Sequence, residues 1–337
     1  MSIQIPNFYG YNVKFSPFSR VLGLVGGNNF GFTGKEPHLG KIPSLKEINL
    51  ILGKGSLYIL SYGNETTEIK VVQNHGEADV ITDLAWSKDQ HFVLATSCGN
   101  GTLSLWQIDK KVNTVKAHSR EISSIDWKNL IVLGSWDGFI STVSRYNCLN
   151  IFMYLTQSFS FFQKWNPTTM TKINHIEVAP NSLVHQAKVS YHQPHIFGCV
   201  SSKGTLNIWD LRSRQESLSM FHGTEVLCLE WLEHFDSLIL TGSSDGVIRL
   251  WDVRNHFQPV KRFIGHEYAV RQIKNANDRF LSCSYDLTVR SWTLSDPSHH
   301  RFLKHHTEFV YGIDVCPFDS SIAVDCSWDT TLKLFRN

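Results

Sequence analysis

One short pattern returns along this chain at intervals near forty residues: a polar or charged turn residue, usually followed by glycine, then alternating apolar positions that end on an aromatic side chain. In the second half it reads Lys203-Gly204-Thr205-Leu206-Asn207-Ile208-Trp209, Asp245-Gly246-Val247-Ile248-Arg249-Leu250-Trp251, Asp286-Leu287-Thr288-Val289-Arg290-Ser291-Trp292 and Asp329-Thr330-Thr331-Leu332-Lys333-Leu334-Phe335. The earlier copies are Lys54 to Leu60, Asn100 to Trp106 and the turn Asp137-Gly138. From Trp209 the terminal aromatics follow at 42, 41 and 43 residues.

Self-similarity at this interval, with Trp-Asp pairs at Trp209-Asp210 and Trp251-Asp252, is the signature of a WD-repeat β-propeller. Seven copies predict an all-β, seven-bladed ring that uses the whole chain, 1–337, as a single domain. The blades are expected near 8–72, 75–110, 117–166, 173–212, 221–254, 263–295 and 304–337. Before the turns lie dense apolar hexamers such as Ile81 to Trp86, Ile122 to Trp127 and Val226 to Trp231, as suits an inner strand covered on both faces by neighbouring blades.

The 32 basic residues nearly balance the 30 acidic ones, so the overall field gives no reason to expect nucleic acid or an anionic membrane as partner. Seven cysteines without a C-x-x-C arrangement read as small buried hydrophobes of a reducing compartment. The amino terminus shows no basic stretch followed by a long apolar run, which predicts a cytosolic chain without direct membrane insertion.

His75, His118, His222, His266 and His306 sit just upstream of the inner strands of the second, third, fifth, sixth and seventh blades. In propellers of this kind such a histidine commonly bonds the turn Asp and links through Ser or Thr to the strand Trp. His266, Ser282, Asp286 and Trp292 make one such set, and His222, Thr241, Asp245 and Trp251 another. A catalytic constellation would occur once, whereas this one recurs. No glycine-rich phosphate loop or nucleophile elbow is present, so no enzyme is expected. His299-His300 and His305-His306 lack Cys or acidic partners at ligand spacing and read as a polar loop, so neither cofactor nor metal ion is expected.

One blade breaks the beat. Asp137 and Trp165 are 28 positions apart where Asp245 and Trp251 are 6 apart, which places an atypical insertion of about 22 residues at 141–162 in the third blade. It is apolar but too short and too interrupted to span a bilayer. It reads either as a partner-binding loop or as an artefact of the gene, such as translated intron. Lys203 replaces the turn Asp of the fourth blade, which is expected to be looser.

The last two blades carry more particular text. Gly265 to Lys274, Ser282 to Arg290, His305 to Phe309 and Asp325 to Asp329, with Gly10 to Phe18 at the start, closely resemble the peroxin-7 family of receptors for the type 2 peroxisomal targeting signal. The resemblance implies an import receptor that binds newly made matrix enzymes, 3-ketoacyl-CoA thiolase being the familiar cargo. With a peroxin co-receptor it delivers them to the peroxisomal docking complex, shuttling between cytosol and peroxisome matrix. The signal is a short amino-terminal segment that becomes an amphipathic helix, with an Arg near its start. A general WD-repeat adaptor, such as a ubiquitin-ligase substrate receptor or a chromatin peptide reader, would use the same rim and stays open at this point.

On a propeller, residues just before each inner strand and just before each turn Asp project onto one rim. Here these set carboxylates among aromatics, and the residues expected to bind the signal are Asp79, Glu121, Trp136, Glu225, Tyr268, Tyr285, Glu308, Phe309 and Trp328. Asp79 and Glu121 match positions where the family presents carboxylates to the signal's Arg. Trp136, Tyr285 and Trp328 would take its apolar face.

Overall fold

The computed structural model describes residues 1–28, 31–32, 50–51, 54–63, 68–128, 130–144, 171–213, 215–298 and 300–337. They form seven antiparallel four-stranded sheets arranged as an all-β propeller. The innermost strands are Phe8–Phe15, Ile81–Trp86, Ile122–Trp127, Val184–Val189, Val226–Trp231, Val270–Ala276 and Val310–Val315. Each touches the next in chain order, and the last touches the first, so the ring is closed.

Main-chain hydrogen bonds between the two ends of the chain also close the ring. Ser2–Gln4 pairs with Thr331–Arg336 as the outer strand of the seventh sheet, Ile3 facing Leu332. The amino terminus therefore completes the blade that the sequence alone placed at 304–337. Between the second and third strands of the first blade, a small two-stranded ribbon pairs Gly31–Phe32 with Leu50–Ile51.

Hydrophobic burial lies between the blades. Seven slabs separate neighbouring sheets; one packs Val200, Leu206, Val226, Trp231, Ile239 and Trp251 between the fourth and fifth. A single blade has two apolar faces, and only the ring covers both. Tryptophans closing the inner strands also stitch blade to blade: Trp86 Nε1 donates to Lys14 O at 3.1 Å and Trp231 Nε1 to Lys188 O at 3.0 Å.

Every inner strand carries a bulge at one place, skipping Tyr11, Thr82, Ser123, His185, Leu227, Arg271 and Tyr311 in the pairing register. A bulge re-aims the side chain of the unpaired residue. Three residues further along the same strands, Lys14, Asp126, Lys188, Glu230, Lys274 and Asp314 alternate in sign, with Ala85 in the remaining blade. Lys188 Nζ bonds the Glu230 carboxylate, and Lys274 Nζ lies 3.3 Å from Asp314. Burial alone would push the Glu230 carboxyl up, but Lys188 and Lys274 hold it down at about 2.

The blade turns use glycine where the backbone is left-handed. Gly246 has φ of 76°, and a Cβ there would come within 2.5 Å of His266 O. Gly204 adopts the same φ, and its N–H bonds Ser201 O at 3.1 Å, so the fourth-blade turn closes normally around Lys203. The equivalent positions of the last two blades hold Leu287 and Thr330, both at φ 68°.

The third blade corrects the expected insertion. Phe139–Ser144 is an unbroken strand paired with Thr171–Glu177, Ser141 facing His175. Val143 stands in register where Trp106 stands in the second blade, so Ser141 to Ser144 are not inserted text. The remainder of 141–162, and Trp165, lie outside the described residues. The described cysteines, all but Cys148, are free and buried.

Candidate functional site

The two groups of rim residues meet blade by blade through the main chain. Trp136 N–H donates to Glu121 O at 2.9 Å, Ser244 to Glu225 O at 2.8 Å, Tyr285 to Ala269 O at 3.2 Å and Trp328 to Phe309 O at 3.0 Å. Hydroxyls reinforce the link, Ser135 Oγ to Glu121 O at 2.8 Å and Ser327 Oγ to Glu308 O at 3.1 Å. The fold thus gathers side chains from distant repeats onto one face.

One arc of that face is aromatic. Trp328 stacks on Tyr311 with centroids 4.8 Å apart and planes 5° from parallel, and Tyr11 lies 5.1 Å from Tyr311. Tyr285 packs on Phe309 at 4.9 Å and donates its hydroxyl to Tyr311 Oη at 3.0 Å. Tyr285, Tyr11 and Tyr311 are buried, with Val80, Leu227 and Ala269 beside them, while Phe309 and Trp328 are half-buried at the edge. Tyr285 is therefore part of the floor, and Phe309 and Trp328 are the surface a ligand would meet.

The acidic arc lies on the second and third blades. Glu121 is half-buried, and its carboxyl is raised to about 8: burial is the main cause, Arg271 and then Arg120 oppose it, and Asp79 adds to it. Asp79 and Glu121 are therefore within electrostatic reach of each other. The Asp79 carboxylate accepts the Val80 N–H at 2.8 Å, which fixes it at the rim. Arg271 lies with its guanidinium carbon 5.2 Å from the Tyr311 centroid. Trp136 is half-buried, and its Nε1, itself buried, has no partner among the described residues.

The other expected residues differ in surroundings. Glu225 is not a free rim charge, because His185 Nε2 bonds its carboxylate at 2.6 Å. Glu308 is exposed, with its carboxyl raised by partial burial and then by Asp329. Tyr268 is 40 % exposed. Sequence reasoning missed the bulged residues Tyr11, His185, Leu227, Arg271 and Tyr311; their common signal is the second position of the inner-strand hexamer.

The histidine sets are structural. Trp292 Nε1 donates to Ser282 Oγ at 2.8 Å, Ser282 bonds His266 Nε2 at 2.7 Å, and His266 Nδ1 donates to Asp286 at 2.7 Å. In the fifth blade Trp251, Thr241 and His222 join, Trp251 Nε1 lying 3.0 Å from Thr241 Oγ1. Asp245 does not: Arg249 takes its carboxylate at 2.6 Å, which corrects the expected set.

Comparison with known proteins agrees with this architecture. The WD domain, G-beta repeat, family matches at residues 66–107, 215–252, 257–293 and 297–336. A chain of the crystal structure of the mitotic checkpoint complex superposes with a TM-score of 0.73 over all of this chain and 91% of that one; at 15% identity the likeness is one of fold. The peroxisomal targeting signal 2 receptor of Schizosaccharomyces pombe is 25% identical, covering 100% of this chain and 99% of its own length. That of Homo sapiens is 30% identical, covering 92% of this chain and 87% of its own. The chain belongs to the peroxisomal targeting signal 2 receptor family.

Proposed function

We propose that this rim captures the type 2 peroxisomal targeting signal of matrix proteins, and that the protein carries them from cytoplasm to peroxisome as a receptor without catalytic activity. The observation that carries the reading is the pairing of a carboxylate arc, Asp79 and Glu121, with an aromatic arc ending on Phe309 and Trp328. A helix with Arg on one face and apolar side chains on the other meets both arcs at once.

The energetics favour a shared grip. A rim ion pair contributes only ~0.2–1 kcal/mol. A Leu side chain covered by Trp328 and Phe309 adds roughly 1.5–3 kcal/mol. Ordering a short peptide into a helix opposes binding by ~2–5 kcal/mol. A co-receptor that covers the outer side of the helix supplies the missing burial. Thiolase as cargo, a peroxin co-receptor, the docking complex and a shuttling cycle complete the proposal. An immobilised type 2 signal peptide, offered to the purified chain with and without cell extract, tests it: retention is expected, stronger with extract, and no retention in either condition refutes it.

A further inference from the structure

The seventh blade departs from the histidine sets of its neighbours in a way that structural bonding alone does not call for. Where the sixth blade has Ser282 and the fifth Thr241, in the same register the seventh has Asp325. Where they have Trp292 and Trp251, it has Phe335. The exchange introduces a carboxylate and removes the indole N–H that would have served it. Two imidazoles fill the gap. His306 Nε2 lies 2.9 Å from one Asp325 oxygen and His305 Nε2 lies 2.6 Å from the other.

We propose that this cluster is a site for one divalent transition-metal ion, with His305 Nε2, His306 Nε2 and the Asp325 carboxylate as ligands. The three ligand atoms lie within 4.8 Å of one another. A tetrahedral ion about 2.0–2.2 Å from each sets its ligand atoms roughly 3.3–3.6 Å apart, so the present contacts of 2.6 and 2.9 Å open by roughly 0.4–1 Å to admit it. The ion takes the place of the protons that join the imidazoles to the carboxylate, and those protons leave to solvent.

Three further observations fit a ligand set. His306 Nδ1 donates to Asp329 at 2.8 Å, which aims Nε2 at the centre of the cluster, as the outer carboxylate does for metal-bound histidine elsewhere. Asp325 and His306 are closed from solvent whereas His305 is 24% exposed, so an ion has one way in. Lys333, facing Asp325 across the strand pair, directs its ammonium to His305 O. Two nitrogens and a carboxylate suit zinc, nickel or copper and do not suit magnesium or calcium. The acidic partner that His305-His306 lacks at short spacing is supplied by folding, twenty residues on.

A second group, His118, Asp137 and His175 in the third blade, serves as an internal control. Zinc chloride is titrated into the chelator-treated full chain by calorimetry, with thermal unfolding followed in parallel. One ion per chain and a raised unfolding temperature are expected. His305→Gln should weaken binding at least tenfold, Asp329→Asn by roughly 10–100-fold, and His175→Gln should change nothing. Absence of saturable zinc binding, equal binding by His305→Gln, or loss through His175→Gln instead would each overturn the proposal. Should His305→Gln fail to fold, cobalt(II) added to the His175→Gln chain, in which the third-blade group has lost one imidazole, decides: visible bands of a tetrahedral ion ligated by two imidazoles support the site, and their absence removes it.

Discussion

Arg271 rests its guanidinium carbon 5.2 Å from the centre of the Tyr311 ring, and it is the strongest cationic influence on Glu121, three blades away. The carboxylate that would greet a cationic peptide thus already faces an internal cation, held in place by the aromatic floor.

Binding should therefore follow the ionisation of Glu121. Its carboxyl is raised by burial to about 8, and only the ionised form attracts an arginine. Affinity for the signal peptide rises as pH climbs through about 8 and falls below it. Arg271→Gln removes the attraction that holds the carboxyl down, so the midpoint moves upward. Fluorescence anisotropy of a labelled peptide across this range, in both variants, checks the order; a flat profile in the wild type contradicts it.

Trp328→Ala should loosen the peptide more than the fold. The indole stacks on Tyr311 at the half-buried edge of the cluster, beside Phe309. Losing its apolar cover costs a bound Leu roughly 1.5–3 kcal/mol, a weakening of tenfold or more. Calorimetric titration of the peptide against the variant measures it.

Thr330→Gly should stabilise the ring. Thr330 sits at φ 68°, where the second, third, fourth and fifth blades place Gly101, Gly138, Gly204 and Gly246. Left-handed backbone costs a side-chain-bearing residue ~1–2 kcal/mol, and the flexibility of glycine returns ~0.5–1 kcal/mol of that. A net gain of about 0.5–1 kcal/mol is expected in urea unfolding, slightly reduced by loss of the exposed bond from Gln4 Nε2.

The alternating charges of the inner strands predict acid sensitivity. Glu230 has its carboxyl depressed from 4.5 to about 2, because Lys188 and Lys274 outweigh the burial that opposes ionisation. A depressed folded value contributes stability that is present above about 4.5 and is lost as pH falls toward about 2. Glu230→Ala strands Lys188 as a buried unpaired charge and should cost ~3–5 kcal/mol near neutral pH. The difference from wild type should shrink on acidification, as read by unfolding at successive pH values.

The repeat and its turns were legible because a propeller writes the same physical demands into each blade: Gly246 under His266, a Trp closing the third strand, an apolar hexamer inside. The outer strand Ser2–Gln4 was not, since three residues carry no period. Nor were Tyr11, Arg271 and Tyr311, because an inner strand apolar on both faces hides which side chains point to the centre, and the bulge that turns them exists only in the main-chain pairing. Analogy with the sixth blade pairs Asp245 with His222, but Arg249, four residues on, is the stronger partner. Asp325 meets His305 and His306 only once the strands are paired.

The most direct test of the central claim is retention of a type 2 signal peptide by Glu121→Lys, measured beside the wild type with the co-receptor present and with thermal unfolding of both chains recorded. Loss of retention with an unchanged unfolding temperature is the predicted result. Retention equal to wild type, with the new ammonium facing the peptide's arginine, would contradict the assignment of this rim.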